Sequence, residues 1–309
     1  MQKNKEQEVS QVDEPTMSSK RKTIYIAFKT LICLILIGCG VLGGYIVGDL
    51  VIGQIDTFDP SGYTASAYRE KDADIKIWEQ KSIIELTATQ IFVVAEAKIQ
   101  KCENYCIYTK GYDGGDKGKV TTLGMTQDLY GYRYRKGTKG YFDYFSTGIA
   151  NVAKKTEYTT GEDKYYSFEG TLSGDNVTWV PYKTDSGLEY RTKAEYEELA
   201  GVNPDSPIDY IVSRKTVISE KNNGQVGSLY SFTLNLNVTT SVLNYVKKMK
   251  YMSGFDYPKF TNIEIRFEVD KDMNFQNIYI NESYKVIGMN AVGKYKNEFH
   301  YNQEDIVEK

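Results

Sequence analysis

Histidine is almost missing from this chain: His300 is the only one among 309 residues. Catalytic triads and most acid–base sites draw their base from histidine, so they have little to work with here. His300 falls in an amphipathic terminal strand beside Lys296 and Glu298, and reads as a solvated strand residue. Cysteine is scarce too, at four. Zinc needs clustered Cys and His ligands. Cys33 and Cys39 lie in an apolar run, and Cys102 and Cys106 have no histidine nearby, so no metal or cofactor is expected. The net charge of −3 offers no basic face to displace counterions, which argues against nucleic acid as a partner. No G-x-S-x-G elbow and no G-x-x-x-x-G-K-[ST] loop occurs. Tyrosine, by contrast, is abundant at 27 residues, and it favours strands.

From Thr30 to Gly48 the sequence reads TLICLILIGCGVLGGYIVG without a charge. Such a run spans roughly 28 Å as a helix, close to the hydrocarbon thickness of a bilayer. Lys20, Arg21, Lys22 and Lys29 flank its near side, whereas Asp49, Asp56 and Asp59 follow it. The positive-inside rule then keeps the N-terminus in the cytoplasm and places the rest outside the cell. The expected organisation is a cytoplasmic tail at 1–22, a transmembrane signal anchor at 23–52 and a linker with an uneven helix at 53–80. An extracytoplasmic domain follows at 81–309.

Leu36-Ile37-Gly38-Cys39 also matches a lipobox, which would make Cys39 a lipidated N-terminus. Against this, the preceding polar region is long, and the apolar run continues past Cys39 to Val47. Gly40, Gly44 and Gly48 share one face at four-residue spacing, a stripe that lets helices approach closely. Glycine is common in membrane helices in any case, and the sequence leaves the oligomeric state open.

In the outer part, the capping box Thr87-Ala88-Thr89-Gln90 opens a helix predicted at 88–102. Strands are expected near 105–111, 119–135, 139–146, 163–172 and 176–181. Tyr130, Tyr132 and Tyr134 alternate with Gly131, Arg133 and Arg135, giving one aromatic and one wet face. A second box at Thr192–Glu195 opens a helix at 193–200. Strands resume near 214–219 and 228–238, and Thr240 is placed as the cap of a helix at 241–252. Last comes a meander in which Ile263, Ile265, Phe267 and Val269 alternate with charged residues. Its turn, Asp270-x-Asp272-x-Asn274, opens like a calcium loop but has Phe275 where glycine belongs, so it reads as a hairpin turn. This order implies an α+β fold, a curved and mainly antiparallel sheet with a few helices on one face.

The segments Phe92-Val93-Val94-Ala95-Glu96, Tyr257-Pro258-Lys259-Phe260, Phe267-Glu268-Val269-Asp270 and Glu282-Ser283-Tyr284-Lys285-Val286, in this order of elements, carry a resemblance. The chain resembles membrane-anchored envelope proteins of low-GC Gram-positive bacteria. Residues 80–301 are similar in architecture to the half-barrel of the lipoprotein-carrier and mycobacterial lipid-carrier families. The resemblance implies a curved sheet holding a lipid or other apolar ligand; it brings no site residues with it.

Cys102 and Cys106 form a disulfide or serve as two small apolar residues; the four-residue spacing permits either. The expected function is a non-enzymatic binding module whose concave face is lined by Tyr130, Tyr132, Tyr134, Phe142, Tyr230, Phe232, Phe267 and Tyr279. Taken one at a time, each of these side chains is better accounted for by ordinary core packing. A structural scaffold of the envelope is the alternative, with an envelope hydrolase behind it.

Overall fold

Alternation dictates the architecture. Ile263, Ile265, Phe267 and Val269 are all buried, while the residues between them turn away from the core. The computed structural model describes residues 57–148, 151–173, 176–184, 187–201, 206–253, 257–286 and 288–309. The expected transmembrane segment at 23–52, with Cys39, Gly40, Gly44 and Gly48, lies outside them. Among the described residues no helix is long and apolar enough to cross a membrane.

One sheet of twelve antiparallel strands organises the unit Ile52–Lys309. β1 (Asn104–Gly111) and β2 (Gly118–Thr122) are followed by β3 (Met125–Lys136) and β4 (Lys139–Thr147). β5 (Val152–Thr159), β6 (Tyr165–Ser173) and β7 (Asn176–Pro181) extend this first meander outwards. A second meander comprises β8 (Val217–Val226), β9 (Leu229–Leu236), β10 (Lys259–Val269), β11 (Phe275–Val286) and β12 (Met289–His300). β1 joins the two by pairing with both β3 and β12. β2 occupies the same slot further along, again between β3 and β12. The two are therefore one strand interrupted by the Asp113–Asp116 loop. The sheet stays open, with β7 and β8 as its outer edges.

Four α-helices are described: α1 (Asp72–Trp78), α2 (Ala88–Lys101), α3 (Lys193–Ala200) and α4 (Tyr245–Ser253). The capping boxes at Thr87 and Thr192 both form. α2 buries Ile91, Phe92, Val94, Ala95 and Ile99 against the second meander. The Phe92 ring meets Phe267 edge-on at 5.1 Å and Phe275 at 5.0 Å. On the first meander, Tyr158 and Tyr165 stack at 5.3 Å and pack with Tyr196 of α3. The inner face therefore carries two clusters, one mostly aliphatic and one of tyrosines, with α4 between them.

Several expectations change. Residues 57–80, read as linker, pack onto the domain: Trp78 is buried, and Arg214 bridges Glu70 and Asp74 at 2.8 and 2.7 Å. The expected strand 119–135 is a hairpin turned at Leu123 and Gly124, both with positive φ. β5 was not anticipated, because its inward side chains include Lys154 and Thr156, which hide the alternation. The last helix starts at Tyr245, not 241; Asn237 accepts from the Thr239 and Thr240 amides at 2.9 and 3.0 Å and shapes the turn before it.

For the cysteine pair, the structure takes the second of the two readings, without a disulfide. Both thiols are free. Cys102 caps α2, and its Sγ donates to the Asn104 carbonyl at 3.1 Å. The pleat turns Cys106 to the opposite face, where its Sγ lies 3.4 Å from the Asp305 carbonyl. That outer face is covered by residues 302–309: Ile306 packs on Tyr132, Tyr134 and Tyr141, and the Val307 amide donates to the Tyr132 hydroxyl at 2.9 Å.

Two tests follow from this packing. Phe92→Ala should lower stability by about 3–5 kcal/mol, as for other large-to-small core changes, measured by denaturant unfolding. Deleting residues 302–309 should make Cys106 react with a thiol reagent much faster than in the full chain. An unchanged rate would deny the C-terminal segment its covering role.

Candidate functional site

Between the two inner clusters, under α4, lies a cavity of about 260 Å³. Its walls come from Val120 on β2, Leu129 on β3, Phe142 on β4, Val152 on β5, Val286 on β11 and Met249 and Met252 on α4. The side chains follow from register. Arg133 faces Phe142 across β3–β4, and Ile107 faces Arg133 across β1–β3, so all three share the inner face.

Two cations meet over the Phe142 ring, one of them paired with a carboxylate. The Arg133 guanidinium and the Lys248 ammonium each lie 4.6 Å from its centroid. Lys248 Nζ donates to Asp209 Oδ2 at 2.6 Å, and Arg133 Nη1 donates to the Ser206 carbonyl. Asp209 Oδ1 is buried with no hydrogen-bond partner. Arg133 is 7% exposed and Lys248 9%, so both cations are held largely out of water. Burial pushes the Lys248 ammonium below the usual lysine range; Asp209 opposes this and Arg133 adds to it by repulsion.

Asp209 is carried by a segment, residues 206–216, that its own hydrogen bonds pin in place. The Ser213 amide donates to Thr216 Oγ1 at 2.9 Å, Thr216 Oγ1 donates to the Ile211 carbonyl at 2.7 Å, and the Ile211 amide to Ser241 at 2.8 Å. Tyr210 follows Asp209 and reaches a second polar group.

That group is Glu282, on the apolar face of β11 in phase with Ile278, Ile280 and Tyr284. It is 1% exposed. Its carboxyl accepts from the Tyr210 hydroxyl and, at 3.1 Å, from the Tyr245 hydroxyl, which lies 3.2 Å from that of Tyr295. Gly293 opposite leaves room for it: a Cβ there would lie 2.9 Å from Glu282 Oε1. Burial raises the carboxyl to about 7, although the two tyrosine donors pull the other way. Burial likewise pushes Tyr210, Tyr245, Tyr284 and Tyr295 well above the usual phenol range.

Of the eight side chains expected to line a ligand site, the structure brings Phe142 to the cavity. Tyr132 touches it too, but its ring packs beneath the C-terminal segment with Tyr134, which stacks on Tyr141 at 5.4 Å. Tyr130 stacks on Phe145 at 4.9 Å on that same outer face, and Tyr279 lies under Arg266 at 3.9 Å. Phe232 and Phe267 stack at 5.2 Å in the closed core beneath α2, with Tyr230 beside them. The wet face expected on β3 is thus the inner one. Arg133, Asp209, Lys248, Glu282, Tyr210 and Tyr245 escaped notice. Glu282 left a readable sign, a carboxylate at an apolar position of an otherwise regular strand; the others come together only through the fold.

No family model and no curated protein matches this chain. One solved structure, described as "Crystal structure of an N-terminal dehydratase from difficidin assembly line", aligns over 70% of this chain and 84% of its own at 7% identity. Its TM-score of 0.13 is too low for the alignment to carry an argument.

Glu282 also has a consequence for stability. Buried Glu96, 3.7 Å from Arg69, is likewise raised to about 7, mainly by burial. For both, the folded value lies above the unfolded one, so the native state holds a proton that the unfolded chain has lost. Stability should therefore fall as pH rises from 5 to 7, by up to about 1.4 kcal/mol per pH unit per group, and then level off. Glu282→Gln should roughly halve that slope in denaturant titrations; an unchanged slope would contradict a neutral buried carboxyl.

Proposed function

We propose that this chain is a membrane-tethered, extracytoplasmic, non-enzymatic protein that holds an apolar or amphiphilic small molecule in the cavity under α4. The observation that carries this reading is the cavity itself, an apolar chamber between two packed clusters with charged groups gathered at one place on its wall. Its volume sits just below the roughly 300 Å³ at which drug-sized sites begin. A single acyl chain or a one-ring molecule suits it; a two-chain lipid does not. Met249 and Met252 contribute flexible thioethers to its wall, side chains that adapt to ligands of varied shape.

The polar groups also favour binding over turnover. The Glu282 carboxyl takes donors from two tyrosines, and the Lys248 ammonium is held by Asp209. The uncharged run at 30–48, with basic residues before it and acidic ones after it, supports the tether and its orientation. The open antiparallel sheet fits the half-barrel resemblance.

Two measurements test this. Native mass spectrometry of the full chain purified from its own cells should show a bound small molecule that Leu129→Trp removes. A bare wild-type protein, or an adduct that persists in the variant, would leave the scaffold reading in its place. Protease added to intact, wall-free cells should digest the C-terminal portion; its survival until permeabilisation would deny the extracytoplasmic location.

A further inference from the structure

We infer that the cavity selects a single-chain amphiphile bearing one carboxylate, with the head held by Lys248 and Arg133 and the chain lying along Leu129, Met249 and Met252. The inference rests on the binding reading above and adds the chemical class of the ligand.

Polarity changes along the strands. Following β3 inwards, Gln127 and Leu129 come first and Arg133 last, a run of roughly 20 Å at the usual rise per strand residue. On β4 the order is Ser146, Tyr144, Phe142, with Phe142 beside Arg133. Val152, Val286 and Ala291 line the end far from the cations, and Met252 closes α4's side of the chamber. The chamber is therefore a slot with an apolar stretch leading to a cationic end, which matches an amphiphile in both length and polarity.

Charge at the inner end favours an anion. Arg133 and Lys248 each sit over Phe142, and Asp209 is the carboxylate paired with Lys248. The remaining charged group of the wall, Glu282, faces tyrosine hydroxyls from Tyr210 and Tyr245. Arg133, Lys248 and Asp209 together sum to one positive charge at this end, which a monoanion neutralises. A lysine ammonium has three donors, and the bond to Asp209 uses one of them. Such a low-dielectric setting strengthens a charge-assisted hydrogen bond. A neutral ligand lacks the charge–charge attraction, and two cations against one carboxylate disfavour a cationic ligand.

The test uses the full chain reconstituted in vesicles, with a diazirine-bearing hexadecanoic acid and, separately, its methyl ester. After irradiation, labelled peptides are mapped by mass spectrometry. The acid should label the peptides of β3, β4 and α4 about tenfold more than the ester, the scale of one charge-assisted hydrogen bond in a buried site. Lys248→Met should bring acid labelling down to the ester's level, Lys248→Arg should restore it, and ester labelling should stay unchanged as evidence that the variants fold. Equal labelling by acid and ester in the wild-type chain, a comparison that needs no variant, would overturn the head-group inference while leaving the cavity reading standing. Labelling of these peptides by neither probe would overturn both.

Discussion

The sheet and the elements packed on its inner face keep three ionisable side chains, Arg133, Lys248 and Glu282, almost out of water beside a partly exposed fourth, Asp209, and the site depends on that constraint. Arg133, Asp209, Lys248 and Glu282 come from β3, the 206–216 segment, α4 and β11. None is stable in such a place alone, since burying an isolated charge costs far more than any single contact returns. Each is accommodated differently: Lys248 by Asp209, both cations by the Phe142 face, and Glu282 by two tyrosine hydroxyls and a raised proton affinity. The 206–216 segment, which carries Asp209 and Tyr210, is fastened by hydrogen bonds among Ile211, Ser213 and Thr216.

The same arrangement frames the chamber. Apolar side chains close the sheet under α2, and stacked tyrosines close it under α3. Between these clusters the polar groups stand on the chamber wall. The chamber is thus bounded by packing on both sides, with the two cations at one end and Glu282 set apart from them along the strands. The proposal that a small amphiphile binds here rests on this combination.

The outer face shows how a sheet with two usable faces can be covered twice. Residues 302–309 lie over Tyr132, Tyr134 and Tyr141, and Lys309 Nζ reaches Asp143 at 2.9 Å. The tyrosine stripe of β3, which alternation marks correctly as one face, therefore belongs to a buried outer layer. Away from this cover the outer face is a ladder of charges. Glu298 is one of them: partial burial pushes it up, yet Lys296, Lys110 and His300 together hold it at about 2.

Local chemistry was enough for the elements that announce themselves. The capping boxes at Thr87 and Thr192, the alternation of β10 and the Asp270 turn all require only near neighbours, so they are legible in order along the chain. Where inward positions are polar, as in β5, or where a strand is exposed along its length, as in β8, of which only the start is expected, alternation shows little. Period two also says which residues share a face without saying which face meets the core, and that choice decided the fate of Tyr130 and Arg133. The cavity lay further out of reach, because its four charged groups are separated by up to 149 positions (Arg133 to Glu282) and meet only when β3 and β11 are joined through β1 and β12. The sequence by itself determined the strands, their phase and the uncharged N-terminal run; the pairing of distant strands alone determined where charge is buried, because register is a property of two strands and never of one.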